Sequence, residues 1–160
     1  MASKGLVTMP RIGIRFDHLD GVGWYSPTRA YYHSKLAQIM FSFELASRTA
    51  GHVDVTCVRV PAVRLDADRL AAMPRLLRVL YAPKNRLAAS PEDLAATCVR
   101  ITEGGGEQRD GTVHGVYVDE RRRPVNAPAF ACDRAARERL WSVTQALAGN
   151  LSWAWWDDNR

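Results

Sequence analysis

The sequence has few cysteines, and their placement narrows the class of protein. Cys57, Cys98 and Cys132 are odd in number, lie far apart and form no CxxC pair. This spacing argues against a disulfide framework and against a zinc site built on cysteine, so we expect reduced, mostly buried thiols. The four histidines also lack the spacing of metal ligands, and we predict no metal site.

Long apolar runs are missing as well. No stretch approaches the length that crosses a bilayer, so we predict no membrane span. The first ten residues contain neither a long apolar core nor a cleavage pattern, and we expect no signal peptide. The chain has 160 residues, of which 47% are apolar and 24% charged, which is typical of one globular domain. Together with the reduced cysteines, these features predict a cytoplasmic location.

Lysine is rare: only Lys4, Lys35 and Lys84 are lysines, and arginine supplies most of the positive charge. The net charge is +5, but acidic residues are interleaved with the arginines along nearly the whole chain. This mixing argues against a nucleic-acid partner. The one concentrated basic run, residues 120–124, is interpreted as a solvated loop after a strand, with phosphate binding as the lesser alternative.

A helix and a strand dominate the first half of the chain. Apolar residues at three-to-four spacing predict a helix that begins at Thr28, as its N-cap, and ends at Gly51. The next segment, "VDVTCVRV" (Val53 to Val60), is short and rich in β-branched residues, which predicts a strand buried on both faces. The 27 residues before the helix are interpreted as strand fragments and loop.

The second half adds helices and one strand. Ser90 as N-cap and Pro91 at the first helical position predict a helix start. A glycine-rich loop (103–111), the strand "VHGVYVD" and a closing helix from about 133 to 148 follow. The order predicts an α/β fold, but two strong strands make an incomplete sheet. We divide the chain into a domain at 1–149 and a tryptophan-rich tail at 150–160.

The predicted first helix carries the strongest chemical signal. Tyr31 and Lys35 stand four residues apart and therefore share one face of the helix. A lysine ammonium beside a phenol stabilises the phenolate, and such a tyrosine can exchange protons with an alcohol or a carbonyl. Tyr32 competes for the same role. The alternative is a lysine that extends to solvent beside a tyrosine that packs.

The surrounding residues resemble a known family. The stretch "AYYHSKLAQIMFSFEL" is similar to the active-site helix of the short-chain dehydrogenase/reductase family, in its retinol-dehydrogenase-like branch. Further similar segments follow in the family's order and extend the resemblance from about Arg11 to Gly149. These are "IRFDHLDGVGWYSP", "VDVTCVRVPAV", "SPEDLAAT", "GVYVD" and "DRAARERLWSVTQALAG".

The resemblance implies a Rossmann-like, doubly wound parallel sheet and an NAD- or NADP-dependent hydride transfer between an alcohol and a ketone or aldehyde. Tyr31 would donate or accept the proton. Lys35 would assist its ionisation and hydrogen-bond the nicotinamide ribose. Pro61 and Val63 would lie against the nicotinamide, and Leu65 to Arg86 would form a lid over the substrate.

Some family features are not found in this sequence. No glycine-rich dinucleotide turn precedes Tyr31, so the predicted fold lacks the N-terminal strands that bind the dinucleotide. We therefore do not expect this chain alone to bind NAD or NADP well. The catalytic serine of a Val-Ser-Ser segment is not recognised, and Thr8 is the nearest hydroxyl. The family's Pro-Gly turn is Pro61-Ala62 here, and Leu65 replaces the threonine expected after it.

Two functions from different classes follow from these observations. In the first, the chain is an oxidoreductase by lineage that is impaired or inactive in this truncated form. In the second, it is a non-catalytic remnant that associates as a homodimer or with a protein partner. That association would use an apolar face of the helix that bears Tyr31, exposed in the absence of the other half of the fold.

Overall fold

The computed structural model describes residues 1–49, 52–86, 88–103 and 116–149. Most of the glycine-rich loop and the whole tryptophan-rich tail therefore lie outside the described residues. The strands are β1 (Ala2–Ser3), β2 (Thr56–Val60) and β3 (Val116–Val118). The helices are α1 (Pro27–Arg48), α2 (Ala67–Ala71), α3 (Arg75–Arg86), α4 (Pro91–Glu103), α5 (Ala129–Cys132) and α6 (Arg134–Leu147).

The sheet has three strands in the order β1-β2-β3, and both strand pairs are parallel. In β1, Ala2 lies opposite Arg59 and Ser3 opposite Val60. On the other side of β2, Cys57 lies opposite Tyr117 of β3. Helices connect the consecutive parallel strands, as parallel pairing requires. The α/β class is confirmed, and the small open sheet is consistent with a partial Rossmann-like fold.

Helix α1 begins two residues earlier than the sequence predicted. Its N-cap is Ser26, whose hydroxyl accepts a hydrogen bond from the Arg29 amide, and Pro27 occupies the first turn. The prediction of Thr28 as the N-cap was therefore wrong. Proline is favoured at the first helical position because its φ angle is already helical and it has no amide hydrogen to leave unpaired. The helix ends at Arg48, before the predicted Gly51, which lies outside the described residues.

Other boundaries also moved. Strand β2 begins at Thr56, and not at Val53. The first 27 residues contain β1 and two short 3-10 helices, at Lys4–Thr8 and Phe16–His18. The helix start at Ser90 is confirmed, since its hydroxyl accepts from the Asp93 amide at 3.0 Å.

The core forms where α1 packs against β1, α5 and α6. Leu36, Ile39 and Met40 of α1 have no exposed surface. The apolar face of α1 is thus covered within the chain, contrary to the exposed face that the sequence analysis expected. Of the three free thiols, only Cys57 is buried; Cys98 is partly buried and Cys132 is exposed, so the expectation of mostly buried cysteines was wrong.

Candidate active site

Tyr31 and Lys35 lie in the first turns of α1. Because α1 joins two parallel strands, it runs against them, and its first turns therefore lie toward the carboxyl edge of the sheet. The Tyr31 side chain is 48% exposed. The Lys35 Nζ lies 5.7 Å from the centre of the Tyr31 ring and donates a hydrogen bond to Gln38 Oε1 at 3.1 Å. The pair thus faces solvent at the edge where open α/β sheets bind ligands.

The structure separates the roles of the two neighbouring tyrosines. Tyr32 packs against the core, and a Cβ atom added to Gly5 would lie 2.7 Å from its hydroxyl oxygen. Its ring meets the Tyr31 ring edge-on, with ring centres 5.3 Å apart. Tyr32 is therefore a packing residue that lies between the core and the Tyr31 ring. Tyr31 is the more exposed of the two.

Pro61 and Val63 follow directly after β2. They therefore lie beyond the carboxyl end of the central strand, the same edge that the start of α1 reaches. Val63 forms an isolated parallel bridge with Ala89. Both residues are partly buried. The four predicted site residues are thus all at one edge of the sheet.

Ser3 is a hydroxyl group that the sequence analysis did not single out. It ends β1 and lies opposite Val60, the residue before Pro61. Its Oγ accepts a hydrogen bond from the Gly5 amide at 3.2 Å. Thr8, the predicted candidate, is exposed, and its hydroxyl donates to the Gly5 carbonyl at 2.7 Å. A strand of two residues shows no alternation of side chains, so no sequence pattern revealed Ser3.

The segment before α1 is fixed to the helix by an aromatic stack. The Trp24 and His33 rings stack with centres 4.3 Å apart, and Trp24 Nε1 donates to the His18 carbonyl at 2.6 Å. Burial, and then the positive charge of Arg15, lower the pKa of His33. Both effects favour the neutral form of His33, which lies two residues from Tyr31 and stacks on Trp24.

The described ranges lack both a metal-binding cluster and a membrane-spanning helix. Within them, no three histidine, cysteine, aspartate or glutamate side chains are grouped so that they could hold a metal ion. In the same part of the chain, no helix combines the length and the apolar character needed to cross a membrane.

Curated proteins similar to this chain were found. The chain is 33% identical over 144 residues to dehydrogenase/reductase SDR family member 13 of Bos taurus, covering 84% of this chain and 35% of that protein. It is 31% identical over 137 residues to human retinol dehydrogenase 12, covering 85% and 41%. Retinol dehydrogenase 14 of Mus musculus is 28% identical over 145 residues, covering 86% and 41%. No family model and no solved structure matches.

These relatives agree with one another and with the resemblance seen in the sequence. The chain is related to the short-chain dehydrogenase/reductase family of oxidoreductases. Within that family, its relatives fall in the retinol-dehydrogenase-like branch. The chain spans less than half the length of the curated relatives it matches.

Proposed function

We propose that this chain carries the catalytic part of an NAD- or NADP-dependent oxidoreductase that interconverts an alcohol and a ketone or aldehyde. The observation that supports this most strongly is the exposed Tyr31, with the Lys35 ammonium 5.7 Å from its ring, at the carboxyl edge of a parallel sheet. Pro61 and Val63 follow the central strand at that edge.

The residues at this edge fit the nicotinamide end of the cofactor. The Lys35 ammonium has three hydrogens, and within the described part of the chain its hydrogen bond to Gln38 uses one of them. Two donors therefore remain, which suits the hydroxyls of a ribose and the oxygen of Tyr31. Pro61 and Val63 offer an apolar surface for the nicotinamide ring. Bound NAD or NADP would give or take the hydride.

The protein's own part is proton transfer. When a carbonyl is reduced, the Tyr31 hydroxyl donates a proton to the carbonyl oxygen; when an alcohol is oxidised, the phenolate accepts it. Lys35 places a positive charge 5.7 Å from the centre of the Tyr31 ring. Tyr32 keeps the Tyr31 ring in place through the edge-on contact.

We assign the hydroxyl of the family's serine to Ser3, in place of Thr8. Ser3 lies one strand away from the turn that carries Pro61, and the parallel register brings its backbone opposite Val60. The Ser3 oxygen accepts from Gly5 N, so its own hydrogen is left to donate to a substrate oxygen. Thr8 is exposed and uses its hydrogen on the Gly5 carbonyl.

For the adenine and pyrophosphate end of the cofactor, we recognise no binding motif in the sequence. The sequence contains no glycine-rich dinucleotide turn before Tyr31. We therefore propose that this chain alone holds the nicotinamide end and binds the whole cofactor weakly. That the chain is impaired or inactive in this form, and that the protein is cytoplasmic, stay predictions from the sequence.

Titration of the purified chain with NADPH and with NADH tests this proposal. Trp24 is buried and stacks on His33 of α1, so it reports on a reduced nicotinamide bound near Tyr31 by fluorescence energy transfer. We expect a weak signal that does not saturate below about millimolar cofactor, which corresponds to about −4 kcal/mol of binding free energy. Saturable binding at micromolar cofactor would contradict the proposal that half of the binding site is lacking.

The association module has less support. It depended on an exposed apolar face of α1, and Leu36, Ile39 and Met40 of that helix are buried against the rest of the chain. Its exposed residues include Tyr31, Ser34 and Gln38, which are polar or aromatic. A homodimer or protein partner through α1 stays a prediction that this surface does not favour.

A further inference from the structure

The first observation concerns the backbone of Leu65, the first residue of the predicted lid. Its amide donates to Asn85 Oδ1 at 2.7 Å, and Asn85 Nδ2 donates to its carbonyl oxygen at 3.3 Å. Asn85 is only 9% exposed. One buried side-chain amide therefore binds both backbone groups of a residue 20 positions away, and it brings the two ends of residues 66–84 together.

A second set of bonds lies beside the first. The Arg64 amide donates to the Ala89 carbonyl at 2.9 Å, and the Ala89 amide donates to the Ala62 carbonyl at 2.9 Å. Between them, Val63 lies opposite Ala89 in a parallel bridge. The turn that follows Pro61 is thus held by two residues that come after the lid segment.

The segment enclosed by these bonds is residues 66–84. It contains α2 and α3, separated by a break at Pro74. Val79 in α3 is 71% exposed. The hydrogen bonds of Asn85 therefore tie the two ends of this segment together.

We propose that Asn85 is a positioning residue that ties the two ends of residues 66–84 together and fixes the turn carrying Pro61 and Val63. An amide is needed because the site uses one donor and one acceptor at once; leucine has the same size but neither, and an ionised aspartate has no donor. That Asn85 joins the ends of this segment rests on the hydrogen bonds alone. That the fixed turn helps to hold a nicotinamide rests on the proposed function.

Amide hydrogen exchange followed by NMR, without cofactor, tests the proposal. In the Asn85→Leu variant, the amides of Leu65, Arg64 and Ala89 are expected to exchange at least about tenfold faster than in the wild type, since two hydrogen bonds are lost without a loss of volume. The amides of Ile39 and Met40 in the α1 core are expected to keep their rates. The matched control, Asn126→Leu at an exposed loop position, is expected to change none of the five.

Unchanged exchange at all three turn amides would overturn the proposal. An equal acceleration in the α1 core would also overturn it, because it would show a general loss of stability and no local closure. If the wild type showed no NADPH binding even at millimolar concentration, the proposed function would be refuted. The hydrogen-exchange result would still stand, because it is measured without cofactor.

A second variant covers the case in which Asn85→Leu does not fold. Asn85→Asp keeps the acceptor for the Leu65 amide but places a carboxylate against the Leu65 carbonyl oxygen. The Leu65 amide is expected to stay within about threefold of its wild-type rate, while amides of residues 66–84 exchange at least about tenfold faster. Equal changes in both, or no change in either, would show that the two hydrogen bonds do not act as a closure.

Discussion

Replacing Tyr31 with phenylalanine is expected to lower turnover at least about 100-fold, because proton transfer by a positioned side chain contributes that much or more. The test needs a protein that binds the whole cofactor. A suitable one is a chimera in which this chain replaces the segment of human retinol dehydrogenase 12 to which it is similar, at 31% identity. Turnover of an alcohol is then followed by the absorbance of the reduced nicotinamide.

Tyr32→Phe is the matched control for this change. It removes the same atom from the next residue, whose ring packs against the core, and turnover is expected to stay within a few-fold of the parent. In the isolated chain, Tyr31→Phe is expected to change the free energy of unfolding by less than about 0.5 kcal/mol, since only the hydroxyl of a half-exposed side chain is lost. Equal turnover in both variants, or a large loss of stability on Tyr31→Phe, would contradict the assignment of Tyr31.

Replacing Asp119 with alanine is expected to lower the free energy of unfolding by about 2 kcal/mol, because a buried carboxylate and its part-buried hydrogen bonds to Arg121 and Arg123 are lost. Asp119 follows β3 and is 3% exposed. Its Oδ1 accepts from the amides of Arg121 and Arg123, both at 2.9 Å, and its Oδ2 lies 3.1 Å from an Arg123 guanidinium nitrogen. These bonds shape the basic turn at the end of β3.

The contribution of Asp119 depends on pH in a defined direction. Burial alone would raise its pKa, but the amides of Arg123 and Arg121 and the Arg123 guanidinium outweigh burial and lower the pKa below its ordinary value. Stabilisation by a carboxylate with a lowered folded pKa is complete above the unfolded pKa, about 3.9, and is lost as the pH falls through the folded value. We therefore expect the difference in free energy of unfolding between the wild type and Asp119→Asn, measured by chemical denaturation, to become smaller below about pH 4.

An exposed aspartate provides the comparison. Asp20 also accepts a backbone amide, that of Val22 at 3.0 Å, but its side chain faces solvent. Asp20→Ala is expected to cost less than about 1 kcal/mol, because water replaces the lost partner. A cost for Asp119→Ala as small as that for Asp20→Ala would mean that the turn does not depend on its buried carboxylate.

Local patterns predicted the parts of the fold that local forces decide. The spacing of Leu36, Ile39 and Met40 predicted α1, since the face they form is the one the core buries. The β-branched run that ends at Val60 predicted β2. The start of α1 was misplaced by two residues because serine, proline and threonine stand together, and the hydrogen bond to the Arg29 amide decides which one caps.

Long-range contacts account for what the sequence could not show. Ser3 is positioned by strand pairing with Val60, and Asn85 is positioned by its hydrogen bonds to Leu65. Neither residue is marked by spacing, since the partners are 57 and 20 positions away. Tyr31 and Lys35 were predicted because their partnership is local, four residues apart on one helix.

NMR mapping with the two halves of the cofactor tests whether this chain holds the nicotinamide end and not the adenine end. The reduced form of nicotinamide mononucleotide and, separately, adenosine 2′,5′-bisphosphate are added to millimolar concentration, and the shifts of assigned resonances are followed. We expect the nicotinamide half to shift only the resonances of Tyr31, Lys35, Val63 and their neighbours, and the adenine half to shift none. Shifts by the adenine half, or none at Tyr31 and Lys35 with the nicotinamide half, would contradict it.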